Sequence, residues 1–176
     1  METETYKKYK NAPKNNEVEF LVVHHSAASE NQSVKSIEDY HLSLGWSGIG
    51  YHYLITKTGE LWKGRPEHVN GAHVKEDNIN YRSLGICVIG DFAKKLPTPE
   101  QVSALKTLLE DLKARYNVSL EKIVPHRHFL GKPPYKDCFG SNLKDDWARN
   151  LITPQITPKS IILKRIDELK QLVEQL

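Results

Sequence analysis

Cysteine is scarce in this chain, with two in 176 residues, Cys87 and Cys138. Two thiols cannot make the multi-bridge framework on which small secreted folds depend, so stability has to come from a packed core. No apolar run approaches the roughly 20 residues needed to cross a bilayer. The first 16 residues are polar throughout and hold no apolar leader core. The expectation is synthesis without a signal peptide and retention in the cytoplasm until some other route releases the protein. An excess of one charge is also missing: 25 Lys and Arg stand against 22 Asp and Glu, a net charge of +3. A nucleic-acid partner usually needs a clustered basic face, and none is evident. So mild a positive balance suits approach to an anionic polymer. Repeats and low-complexity tracts are absent.

What the chain does contain is the patterning of one α/β domain. Apolar residues make up 39%, enough to bury a core at this length. Residues 18–24, with β-branched Val18, Val22 and Val23, predict a strand. Residues 33–44 predict a helix, with Ser33 as N-cap and Ile37, Tyr40, His41 and Leu44 at helical spacing. Lys57-Thr58-Gly59 turns a hairpin between residues 51–56 and 60–63. Residues 84–89 read as a strand buried on both faces, within which Cys87 is packing. Thr98-Pro99-Glu100-Gln101 is a capping box opening a long helix whose apolar face is Leu105, Leu108, Leu109, Leu112 and Tyr116. A short strand then runs up to His126. The prediction is a single domain with a central mixed β-sheet flanked by α-helices, plus an extra C-terminal helix.

Its boundaries are a polar N-terminal extension over 1–16, a catalytic domain over 17–152, and a Thr-Pro linker with an amphipathic helix over 153–176. In that last helix Ile162, Ile166, Leu169, Val173 and Leu176 follow a four-three spacing. The stripe serves either packing back onto the domain, or partner binding or self-association. The basic run Lys7-Lys8-Tyr9-Lys10 is either a solvated tail or an aid to approaching an anionic wall.

The chemistry gathers in four segments. Val22-Val23-His24-His25 places two histidines at a strand end, and alternation sends them to opposite faces, so one can be a metal ligand and the other cannot join it. By alternation, Gly50-Tyr51-His52-Tyr53 puts Tyr51 and Tyr53 on one face and His52 on the other. Gly71-Ala72-His73 offers a loop histidine. Pro125-His126-Arg127-His128 and Lys136-Asp137-Cys138 supply imidazoles, a thiol and an ammonium; an extended backbone would point His126 and His128 the same way and leave the choice open. Two His and one Cys are zinc donors that keep a fourth tetrahedral position for water, whose pKa such zinc lowers to about 7. The carboxylates Glu30, Glu38, Asp39 and Glu60 show no pairing that marks a general base.

In this order, the four segments resemble the type 2 N-acetylmuramoyl-L-alanine amidase family, which includes bacteriophage amidase lysozymes and peptidoglycan recognition proteins. The likeness covers roughly residues 18–150. It implies Zn2+ on His24, His126 and Cys138, resolving the His126/His128 choice. It also implies Tyr51 and Lys136 as catalytic groups and His73 toward the substrate, with His25 and His52 as further candidate substrate contacts. The implied activity is hydrolysis of the amide between N-acetylmuramic acid and L-alanine in bacterial peptidoglycan, by a phage or prophage endolysin acting on the cell wall after release. Alternatives are a peptidoglycan-recognition module with little turnover, a cytosolic muropeptide-recycling amidase, or a hydrolase using Cys138 as nucleophile. One departure stands out: the family commonly has proline after the ligand Cys, and Phe139 stands there.

Overall fold

The computed structural model describes Tyr9 and residues 17–131, 137–154 and 158–174. The elements run β1 (Phe20–His25), α1 (Val34–Ser43), β2 (Tyr53–Ile55), β3 (Leu61–Lys63), β4 (Ser83–Val88), α2 (Pro99–Tyr116), β5 (Ile123–Pro125), α3 (Trp147–Asn150) and α4 (Pro158–Val173). Short 3-10 turns cover Glu76–Tyr81, Leu120–Lys122 and His126–Phe129. Five strands form one sheet in the order β3-β2-β4-β1-β5. β1 is parallel to both β4 and β5, β4 is parallel to β2, and only β3 runs antiparallel. The predicted mixed sheet flanked by helices is the observed architecture.

Every residue of β1 and β4 is buried, as near-continuous apolar runs in parallel strands require. One sheet face presents Leu21, Val23, Tyr53, Ile55, Leu84 and Ile86 to Leu105, Leu108, Leu109 and Leu112 of α2. Leu109 and Leu112 are fully buried, each contributing about 1.5–3 kcal/mol in transfer free energy. The opposite face holds two smaller clusters. Phe20, Val22 and Val124 pack with Val74 and Ile79, and Leu54 and Cys87 pack with Ile37 and Ile49.

Local signals explain where the helices start and stop. Ser33 Oγ accepts the Ser36 N–H at 3.1 Å to open α1. At α2, Thr98 Oγ1 accepts from Gln101 N, and Gln101 Oε1 accepts from Thr98 N, both at 3.1 Å. The Gln101 amide also donates to Ile89 O at 2.8 Å, fastening the helix start to the end of β4. Asn117 in the left-handed region terminates α2.

Two sequence expectations are corrected. The strand of the second segment begins only at Tyr53, because the chain bends at His52. Tyr51 and Tyr53 therefore separate: Tyr53 joins the α2-side core, whereas Tyr51 packs against the cluster on the other face. Likewise His126–Phe129 is a 3-10 turn rather than extended backbone, so His126 and His128 do not point the same way. His128 instead meets the Phe129 ring edge-on.

The ends of the chain also take shape. Tyr9 is buried, with its hydroxyl donating to Ile49 O at 3.2 Å and the Arg65 guanidinium above its ring. Ile162, Ile166, Leu169 and Val173 on α4 are all exposed, so packing back onto the domain does not bury that stripe. Leu176 and the basic residues of the N-terminal run lie outside the described residues.

Candidate metal centre

β1, β4 and β5 are parallel, so their C-terminal ends share one edge of the sheet, where α/β folds bind ligands. β1 is the strand between the other two. Its register sets Val23 beside Pro125 and His24 beside Cys87. His126 follows β5 directly, and its ring centroid lies 4.8 Å from that of His24. A loop after the 126–129 turn brings in Cys138. One donor atom from each of His24, His126 and Cys138 then lies within 4.8 Å of the others.

The donor set fits zinc on chemistry and on spacing. Zn–N bonds near 2.0 Å and Zn–S bonds near 2.3 Å at tetrahedral angles put N and S about 3.5 Å apart. His24 Nδ1 and Cys138 Sγ are 3.5 Å apart. Burial, then the neighbouring His73, His126 and His25, holds His24 well below the usual histidine pKa. It is therefore neutral near pH 7, the form in which imidazole ligates metal.

The Cys138 loop is held from several sides. Arg127 N–H donates to Cys138 O at 2.9 Å, and the guanidinium reaches Asp137 Oδ1 at 3.1 Å and Gly140 O at 2.9 Å. It also bonds Asp145 and the Leu143 carbonyl. His25 turns to the other side of β1, as alternation predicts: its Nδ1 accepts the Phe92 N–H at 3.1 Å, and its ring bonds the Asp137 backbone. Phe139 is fully buried against Trp147, ring centroids 5.5 Å apart. This buried aromatic side chain anchors the loop just after Cys138.

His73 stands directly behind His24, with Nδ1 3.0 Å from His24 Nε2. Its ring lies over Gly85 of β4, where any Cβ would come within 2.5 Å of it. Only glycine permits this approach. His52 is 1% exposed and both its nitrogens are engaged: Nδ1 accepts from Gly85 N at 2.9 Å and Nε2 donates to Val69 O at 3.0 Å. With both ring nitrogens engaged, His52 braces β4 to the 66–71 loop. The bonds of His25 likewise direct it to the Cys138 loop.

Tyr51 lies beside the centre, its ring centroid 5.1 Å from that of His24. Gly50 N–H donates to His41 Nδ1 at 3.1 Å, fixing the segment that carries it. Burial pushes the Tyr51 phenol well above its ordinary pKa, and the neighbouring Cys87 and Cys138 add to this. Cys87 is fully buried and its thiol is pushed up by the same desolvation, as an inert packing group should be. Lys136 lies outside the described residues.

Sequence reading missed Glu76 and the clamp made by Arg127. Arg127 was visible beside His126, but nothing in the pattern revealed its five bonds. Glu76 Oε2 lies 3.7 Å from His126 Nε2. It sits in a stretch without helical or strand periodicity, so its only signal was nearness to Gly71-Ala72-His73.

The comparisons point one way. Residues 14–141 match the family described as N-acetylmuramoyl-L-alanine amidase (Amidase_2). The chain is 34% identical over 137 residues to the endolysin of Escherichia phage T7, covering 74% of this chain and 85% of that protein. It is 33% identical over 132 residues to peptidoglycan-recognition protein SC2 of Drosophila simulans, covering 70% of this chain and 69% of that one. Among solved structures, the N-acetylmuramoyl-L-alanine amidase LysC from Clostridium intestinale superposes with a TM-score of 0.66 at 32% identity, over 75% of this chain and 84% of that one. With a matched segment that includes all three clustered donors, this chain belongs to the N-acetylmuramoyl-L-alanine amidase family.

Proposed function

We propose that this protein is a zinc-dependent peptidoglycan hydrolase that cleaves the amide between N-acetylmuramic acid and L-alanine, working as a phage or prophage endolysin. The observation that carries the reading is the convergence of His24, His126 and Cys138 donor atoms within 4.8 Å. Similarity to phage endolysins supports the biological setting.

His24, His126 and Cys138 hold the ion. Bound zinc supplies Lewis-acid activation of water and of the scissile carbonyl. The residues of the chain do the rest. The Tyr51 hydroxyl stays protonated and donates a hydrogen bond to the carbonyl oxygen as negative charge develops there. Lys136 adds a positive charge to the same oxygen. His73 fixes the orientation of the His24 ring, and Arg127 holds the loop that presents Cys138.

Incubating purified sacculi with the protein and measuring new L-alanine amino termini tests this reading. The expected result is release that a chelator abolishes and zinc restores. Binding to sacculi without release would favour a recognition module, a reading supported by similarity to Drosophila peptidoglycan-recognition proteins. Preference for soluble muropeptides over sacculi would favour a recycling amidase.

A thiol nucleophile is the chemical rival, since Cys138 Sγ and His24 Nδ1 also lie at the spacing of a Cys–His pair. The depressed basicity of His24 argues against it, because so weak a base holds a thiol proton poorly near pH 7. Chelator-resistant release would reverse that judgement.

A further inference from the structure

We infer that Glu76 is a positioning residue of the metal centre: its carboxylate binds His126 Nε2 from outside and leaves Nδ1 of that ring for the ion. This rests on the zinc reading above. Glu76 Oε2 and His126 Nε2 are 3.7 Å apart, an ion-pair distance within about 0.5 Å of hydrogen-bond range. The two side chains are only 25% and 14% exposed, so water screens their interaction weakly. Glu76 Oε2 is sealed from solvent and has no hydrogen-bond partner among the described residues. A buried carboxylate oxygen in that condition is costly unless a charge or an N–H faces it. An imidazole N–H made more acidic by a metal on the opposite nitrogen meets that need.

The backbone around Glu76 is built to hold it there. Asp77 and Asn78 both sit in the left-handed region, at φ 48° and 56°, which L-residues rarely adopt. Asn80 Oδ1 accepts the N–H groups of His73 and Val74, at 2.8 and 2.9 Å, and so closes the 73–80 segment on itself. Ser83 Oγ donates to Ile79 O at 2.6 Å and joins the segment to β4. One short segment thus carries both outer partners. His73 meets Nε2 of His24, and Glu76 meets Nε2 of His126. A carboxylate on the far nitrogen of a ligating histidine fixes its tautomer and ring angle and makes it a stronger donor.

The test compares zinc affinity, by competition with a chromophoric chelator, for the full chain and its Glu76→Gln and Glu76→Asp variants. Unfolding of the zinc-free proteins is measured in parallel. Glu76→Gln should bind zinc about 10- to 100-fold more weakly while its zinc-free melting temperature stays at the parent value. Glu76→Asp, which keeps the charge, should recover part of the loss. Parent-like zinc affinity in Glu76→Gln, or a melting shift without an affinity shift, would overturn the role of Glu76 alone. If the parent chain bound no zinc, or if His126→Ala bound it as tightly as the parent, the zinc reading itself would fall.

Discussion

His24 Nδ1 and Cys138 Sγ meet at 3.5 Å across 114 residues of sequence. Neither residue type is unusual where it stands in the chain. Their pairing is a product of topology: β1 lies between β4 and β5, so the strand carrying His24 sits beside the strand that launches the Cys138 loop.

Cys138→Ser tests that pairing most directly. Serine keeps the size but is a poor zinc donor. The variant should lose essentially all stoichiometric zinc on dialysis and all amide hydrolysis, while its far-ultraviolet circular dichroism matches the parent. Zinc content by atomic absorption decides it, and full retention of metal would remove Cys138 from the ligand set.

Tyr51→Phe separates oxyanion stabilisation from metal binding. The phenol is not part of the proposed His24–His126–Cys138 ligand set, so zinc content should be unchanged. Turnover should fall by about 100-fold or more, the usual effect of losing one such donor. A kcat within threefold of the parent would exclude the role.

Arg127→Lys asks whether the loop clamp matters. Lysine keeps one charge but cannot reach Asp137, Gly140, Leu143 and Asp145 together, as the planar guanidinium does. Zinc should dissociate faster from this variant. Stopped-flow transfer of the ion to a chelator measures the rate, and an unchanged rate would mean the loop holds its shape without the clamp.

Gly85→Ala should push the His73 ring off β4, since the added Cβ would lie 2.5 Å from it. The neighbouring backbone of a central strand cannot yield easily. Weaker zinc binding is expected along with a loss of about 1–3 kcal/mol in stability, readable from urea unfolding with and without zinc.

Acid should destabilise the zinc-free fold in a defined window. Burial lowers His52 to about 4 from its ordinary 6.5, and His24 and His73 move in the same direction. As pH falls from 6.5 toward 4, the unfolded chain takes up protons that the folded chain refuses, so stability falls with it. His52 alone accounts for about 3 kcal/mol across that window. Urea midpoints at pH 7, 5.5 and 4.5 should decline steadily, and a flat series would show that these rings protonate without leaving the fold.

Much of this was legible in the residues. The capping box at Thr98 and Gln101 and the apolar rows of β1 and β4 are local signals, and local signals survive in sequence. The four motif segments contain the three residues that cluster, because residue type and order carried them. What stayed hidden was relational. The bend at His52 comes from bonds to Gly85 and Val69, both distant in the chain, so alternation misassigned Tyr51 and Tyr53 to one face. The turn at His126 closes beneath the Cys138 loop, and nothing local distinguishes it from extended backbone. Glu76 is held by a segment whose conformation depends on Asn80 and on β4.

The position of β5 as the last strand in chain order has a consequence for synthesis. A nascent chain that has delivered β1, β2 and β4 possesses His24, His73 and Tyr51 but neither His126 nor Cys138. Any product that stops short of residue 138 therefore lacks at least one of the three clustered residues, and one that stops short of residue 126 lacks two. The full cluster exists only in a chain that extends through residue 138.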